Sequence, residues 1–137
     1  MMERKKVAIG VDIGGTKISA GIVDGEGLVY ASPRTIATNP KEPGKVIIAN
    51  LFSLLKNILA DAVDYDVQGV GIGCTGPLDI EKGVLLDVEN LPTLNYFPLK
   101  DTVEQAFPLQ VILDNDANAL VLSLIHISEP TRPLYIS

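Results

Sequence analysis

Asp12-Ile13-Gly14-Gly15-Thr16-Lys17 sits between two apolar runs, VAIGV before it and ISAGIV after it. Each residue type here has a use in holding an anion. Glycines let backbone N–H groups come close to a phosphate with no Cβ in the way. Thr16 and Lys17 add a hydroxyl and an ammonium, and Asp12 is a carboxylate of the kind that holds a magnesium ion or its water shell. The segment predicts a phosphate-binding turn between two strands; the alternative is a plain hairpin with solvated polar residues. Two other phosphate motifs are excluded. Gly10 and Gly15 have the outer spacing of a P-loop, but Thr16-Lys17 reverses its Lys-Thr/Ser order and a β-rich segment follows. No G-x-G-x-x-G opens a helix, so the dinucleotide fingerprint is absent too.

The elements that must position this turn follow from periodicity. Strands are expected over 7–12 and 18–23, and Asp24-Gly25-Glu26-Gly27 turns the chain into a third over 28–32. These three should form an antiparallel meander. A polar stretch with Pro33, Pro40 and Pro43 comes next. Ile47, Leu51, Leu54, Leu55, Ile58, Leu59 and Ala62 then recur at three- and four-residue steps, which predicts a core-facing helix. A short apolar strand over 68–74 is broken by Gly76-Pro77. A second helix is expected over 99–107 with Val103, Ala106 and Phe107 inward, and a last strand over 109–113 ends at Asp114. In such α/β sheets ligands gather beyond the carboxyl ends of the parallel strands. Asp12, Cys74-Thr75-Gly76 and Asp114-Asn115-Asp116 all fall there.

The chain has 137 residues, 47% of them hydrophobic, with a formal charge of −6 and a mean hydropathy of +0.28. One domain of this size can bury a core. The acidic balance, with no basic stripe, argues against a nucleic-acid face. The apolar stretch after MMERKK is too short for a signal segment or a membrane span, so no membrane partner is expected. One cysteine, Cys74, excludes an intrachain disulfide and fits the cytoplasm; flanked by apolar residues, it reads as a small core residue. No C-x-x-C is present, and no metal site is expected from the residues here. Residues 122–137, LSLIHISEPTRPLYIS, break the helix that begins around Asn115 to Leu120. LSLIHISEPTR is also what one frame of a transposon-based sequencing-library adapter encodes. The segment is therefore read as adapter read-through following a genuine domain over 1–121, and His126, the only histidine, receives no role.

D-I-G-G-T-K resembles the first phosphate loop of the sugar kinase/actin superfamily, and within it the ROK family of bacterial sugar kinases and sugar-responsive repressors. The element order β-β-β-α-β-α-β matches the ribonuclease-H-like half of that superfamily, an α/β fold with a mixed sheet. The resemblance implies that Asp12, Gly14, Gly15, Thr16 and Lys17 hold the phosphates of ATP and Mg2+. D-N-D-A-N-A resembles the family segment that binds the sugar and supplies the base. Asn115 would then hydrogen-bond sugar hydroxyls, and Asp116 would take the proton of the attacking hydroxyl. The residues alone also allow Asn115 and Asp116 to cap a helix. GCTGPLD resembles the turn beside the sugar pocket and implicates Gly76, although many members carry proline where Thr75 stands. VENLPTLNYFPL resembles the family's N-L-P-G-W segment and implicates Asn90 and, more weakly, Glu89. Thr93-Leu94 replace the usual Gly-Trp at its rim.

The resemblance implies a hexose and ATP as small-molecule partners, zinc only in a C-terminal half that follows in many members, and a homodimeric parent. A glucokinase-like kinase is the leading reading, with the fragment itself inactive for want of the adenosine-binding half. The competing one is the sugar-sensing module of a ROK repressor, which would carry a winged helix ahead of this domain, where six residues precede the first strand. An actin-like ATPase would share the phosphate loop without the N-L-P and N-D-A-N segments.

Overall fold

In the computed structural model, residues 4–25 and 29–115 are described, with only the backbone given over 29–32. Asp116, His126 and the whole 122–137 segment lie outside the described residues. Strand β1 (Lys6–Ile13) pairs antiparallel with β2 (Lys17–Asp24), from Val7 opposite Asp24 to Ile13 opposite Ile18. On the other side β1 runs parallel to β4 (Asp66–Cys74), which runs parallel to β7 (Val111–Asp114). Strand β3 (Val29–Ala37) closes the far edge, giving a mixed sheet in the order β3-β2-β1-β4-β7. The meander and the α/β class are as the sequence implies.

Helices α1 (Gly44–Asp61) and α2 (Leu99–Ala106) cover one face of the sheet. The α1 stripe buries Ile47, Leu51, Leu54, Leu55 and Ile58 against Val7, Ile9, Val11, Ile18 and Ile22. Each such side chain contributes roughly 1.5–3 kcal/mol by leaving water. Phe52 of α1 meets Phe107, just past α2, edge to face with ring centroids 5.5 Å apart. The two helices thereby share one core. Helix α1 is entered through Pro43, the residue before it, whose fixed φ of −53° suits a helix entrance, and it has no side-chain cap.

Four local expectations are corrected. β3 does not stop at residue 32 but runs through Pro33 to Ala37. Proline lacks an N–H, yet the strand is at the sheet edge, and the register shifts between Ala20–Arg34 and Ile22–Tyr30. Pro33 sits in that bulge, where no ladder donor is needed. Ala106 is exposed, because the last turn of α2 rotates it away while Val103 and Phe107 stay buried. β7 begins at Val111 rather than at 109. Between β4 and α2 the chain adds a small hairpin, β5 (Leu78–Asp79) with β6 (Val84–Leu85), and a 3-10 turn over Pro92–Leu94.

Candidate active site

The bend between β1 and β2 is held from both sides. The Gly14 N–H donates to the Lys17 carbonyl at 2.9 Å, across the bend. From the start of the β3–α1 connection, the Thr38 N–H donates to the Thr16 carbonyl at 2.9 Å and the Thr38 hydroxyl to the Gly14 carbonyl at 2.7 Å. Thr38 is 1% exposed, so both bonds are shielded from competing water. Asn39 then adopts φ +52°, a left-handed conformation asparagine tolerates, and turns the chain over the bend.

A second loop, following β6, lies directly on this turn. A Cβ placed on Gly15 would stand 3.1 Å from the Cβ of Asn90. A side chain at 15 would press on Asn90, which would have to move by a few tenths of an ångström to admit it. The same loop fills the space over Gly76, whose φ of +94° few other residues accept and whose Cβ would lie 2.8 Å from Val88. The Thr93 hydroxyl donates to the Glu42 carbonyl at 2.8 Å and ties the loop to the β3–α1 connection. Between these parts opens a cavity of about 410 Å³, lined by Gly15, Thr16, Pro40, Lys41, Glu89, Asn90 and Pro92. Four residues singled out from sequence meet here: Gly15, Thr16, Glu89 and Asn90. Lys41 and Thr38 were not anticipated. Both lie in a polar, proline-flanked stretch with no periodicity, and only the register of β3 against β2 brings that stretch to the turn.

Asp12, Gly14 and Lys17 do not line this cavity. Asp12 stands opposite Ser19 on β2 and Gly73 on β4, and Gly73 stands opposite Asp114 on β7. In-register residues share a face, so Asp12 and Asp114 emerge on the same side, two strand spacings or roughly 9–10 Å apart. That side is opposite the helices. Lys17 shares it, two residues before Ser19. Only a glycine lies between the two aspartates.

Asn115, one residue beyond β7, donates its side-chain amide to the Cys74 carbonyl at 3.0 Å and to the Gly76 carbonyl at 3.4 Å. Asn115 and Gly76 are therefore brought together, and the amide N–H groups of Asn115 brace the turn after β4. Its Oδ1 keeps its acceptor capacity for a ligand hydroxyl. The Cys74 thiol is 1% exposed; burial, and secondarily the negative charge of Asp12, pushes it up to about 11, so it is an inert core thiol. Asp116 lies outside the described residues.

The chain is similar to several known sugar kinases. The chain is 37% identical over 116 residues to a glucokinase from Thermotoga maritima, matching 83% of this chain and 35% of that protein. An N-acetyl-D-glucosamine kinase from Citrobacter koseri is 36% identical over 115 residues, covering 83% of this chain and 36% of the relative. Among solved structures, a ROK family glucokinase from Streptomyces griseus in complex with glucose and AMPPNP superposes with a TM-score of 0.68 at 39% identity, over 82% of this chain and 34% of that one. The chain spans about a third of the length of these relatives. The fold is that of the actin-like ATPase and sugar kinase superfamily. The family model described as ROK family matches residues 8–129, nearly the whole chain and eight residues into the segment read as foreign, and the chain belongs to that family.

Proposed function

We propose that this chain is part of an ATP-dependent hexose kinase of glucokinase type. The observation that carries the reading is the shared cavity: Gly15 and Thr16 of the bend and Glu89 and Asn90 of the facing loop line one space. An anion and a polyol can be held side by side there. The bend's N–H groups and the Thr16 hydroxyl bind phosphate oxygens, with Lys17 as a nearby cation. Asn90, Asn115, Glu89 and the backbone at Gly76 hold sugar hydroxyls, and Asp116 accepts the proton of the hydroxyl that attacks the γ-phosphoryl. Among the described residues no group of three or more His, Cys, Asp or Glu stands ready to hold a metal. Magnesium usually takes one or two carboxylates plus substrate phosphates, and Asp12 would be the carboxylate that holds it. When bound, the ion would offset charge on the transferring phosphoryl group.

The contiguous gene beyond codon 121 supplies the full-length protein for the test, and its sequence also decides whether residues 122–137 are native. That protein, given Mg-ATP and a panel of plain and N-acetylated hexoses, is expected to phosphorylate at least one of them, and its mass in solution to be that of a dimer. Asp116→Asn should then lower kcat by about 10²–10⁴-fold while changing KM much less. A variant with near-normal kcat would remove Asp116 as the base. An intact protein that binds a hexose but phosphorylates none would support the sugar-sensing reading instead.

A further inference from the structure

Thr38 is a buried polar residue that catalysis, as proposed above, does not use. Its two bonds both end on carbonyls of the phosphate turn, Gly14 and Thr16. A trans peptide is planar, with its C=O and the following N–H pointing in opposite directions. With the Gly14 carbonyl held toward Thr38, the Gly15 N–H must point away from it, and Gly15 lines the cavity. Among the described residues no other hydrogen bond holds this peptide. It joins two glycines, and flipping it changes only ψ of Gly14 and φ of Gly15, which glycine accepts at little cost. A flipped peptide would turn a carbonyl oxygen toward the anion in place of an N–H donor. We propose that Thr38 is a positioning residue for the phosphate donor: its hydroxyl selects the orientation of the Gly14–Gly15 peptide in which the Gly15 N–H faces the bound phosphate.

One feature supports a specific role over general packing. The hydroxyl bond, at 2.7 Å an ordinary O–H···O length, comes from a residue whose backbone is already fixed by the Thr16 carbonyl and by the left-handed Asn39. The donor is therefore pre-placed, and the bond is made with little loss of side-chain freedom. Valine at 38 would keep the shape and lose only the hydroxyl.

The inference rests on the reading of the turn as a phosphate site, and its test separates the two. In the full-length protein, Thr38→Val is expected to raise KM for Mg-ATP about tenfold while KM for the hexose stays within about twofold, the size expected for one lost buried hydrogen bond. Thr38→Ser should restore the wild-type value to within about twofold, since it keeps the donor. Amide hydrogen exchange over residues 14–17 should quicken in the valine variant and not in the serine one. If the wild type phosphorylates no hexose, the kinase reading falls, and the same variants are read by calorimetric titration with Mg-AMPPNP. Weakening in the valine variant with rescue by serine would still support the role of Thr38. Equal ATP affinity in valine and wild type, equal loss in valine and serine, or a wild type that binds no Mg-AMPPNP would each overturn it. If the valine variant does not fold, Thr38→Ala is read in the same way; loss of folding in both would make Thr38 structural and overturn the inference.

Discussion

The two faces of the sheet differ in what they are made of. On the helix side, β1 and β4 present Val7, Ile9, Val11, Ile13, Val70 and Ile72, all buried and all β-branched. On the opposite side the in-register rows read Gly21, Gly10, Gly71, Ile112 and then Ser19, Asp12, Gly73, Asp114. One apolar cluster on that side is small, built from Ala8 with Val23 and Ile112. Branched side chains on one face supply burial, while small ones on the other let carboxylates stand at the strand ends with nothing bulky between them. Burial is thus concentrated on one surface of these strands, and the carboxylates at their ends stand on the other.

Substitutions on the two faces should separate cleanly. In the full-length protein, Asp12→Asn should lower kcat by about 10²-fold or more if, as proposed above, Asp12 holds the magnesium ion that offsets charge on the phosphoryl group. Its thermal midpoint should hardly move. Leu55→Ala, on the helix side, should cost about 2–5 kcal/mol in denaturant titration and leave kcat per folded molecule near normal. If Asp12→Asn unfolds the protein, or Leu55→Ala abolishes turnover without destabilising it, the division between faces fails.

Cys74 offers a finer probe, since its thiol lies on the helix side while Asp12 acts on it from the other. Burial is the larger cause of its pKa of about 11, so at pH 8 only about one thiol in a thousand is ionised and iodoacetamide should not label it until the protein unfolds. The folded pKa is above the unfolded one, so this thiol stabilises the fold below its ordinary value of about 9. That contribution should fall as pH rises from there towards 11. Rapid labelling of the native protein at pH 8 would show the thiol to be accessible.

The smallest effect is expected at Arg34 and Asp61, a bidentate pair at 2.7 and 3.0 Å joining β3 to the end of α1. The Arg34 hydrogen bond holds the Asp61 carboxyl below its ordinary pKa, which favours the fold above the carboxylate range and is lost as pH falls through it. Both groups are exposed, so Arg34→Ala should shift the thermal midpoint little, and less still in high salt. A large, salt-independent shift would mean that this edge of the sheet matters to the core more than its exposure suggests.

Much of this was legible in the sequence where periodicity is strong. The α1 stripe and the alternation in β2 name their own buried faces, and the apolar run of β4 names a strand buried on both. Glycines 14, 15 and 76 stand at sharp features. The rest was hidden for physical reasons. Pro33 reads as a strand end unless one knows that its strand is an edge with a bulge. Strands of two residues, as in β5 and β6, have no period to detect. Thr38 and Lys41 gain their place near the turn only through long-range pairing of β3 with β2, which local pattern does not encode. Asn115 reads as a ligand or a cap; its bonds to the Cys74 and Gly76 carbonyls add a brace that neither reading contains.

The contact between Gly15 and Asn90 constrains how such a protein can change over generations. With only 3.1 Å between a notional Cβ at 15 and that of Asn90, a side chain can be gained at 15 only if Asn90 yields. On the reading proposed above, the donor turn would therefore change only together with the loop beside it, whereas Glu89, exposed next to Asn90, lies outside that contact.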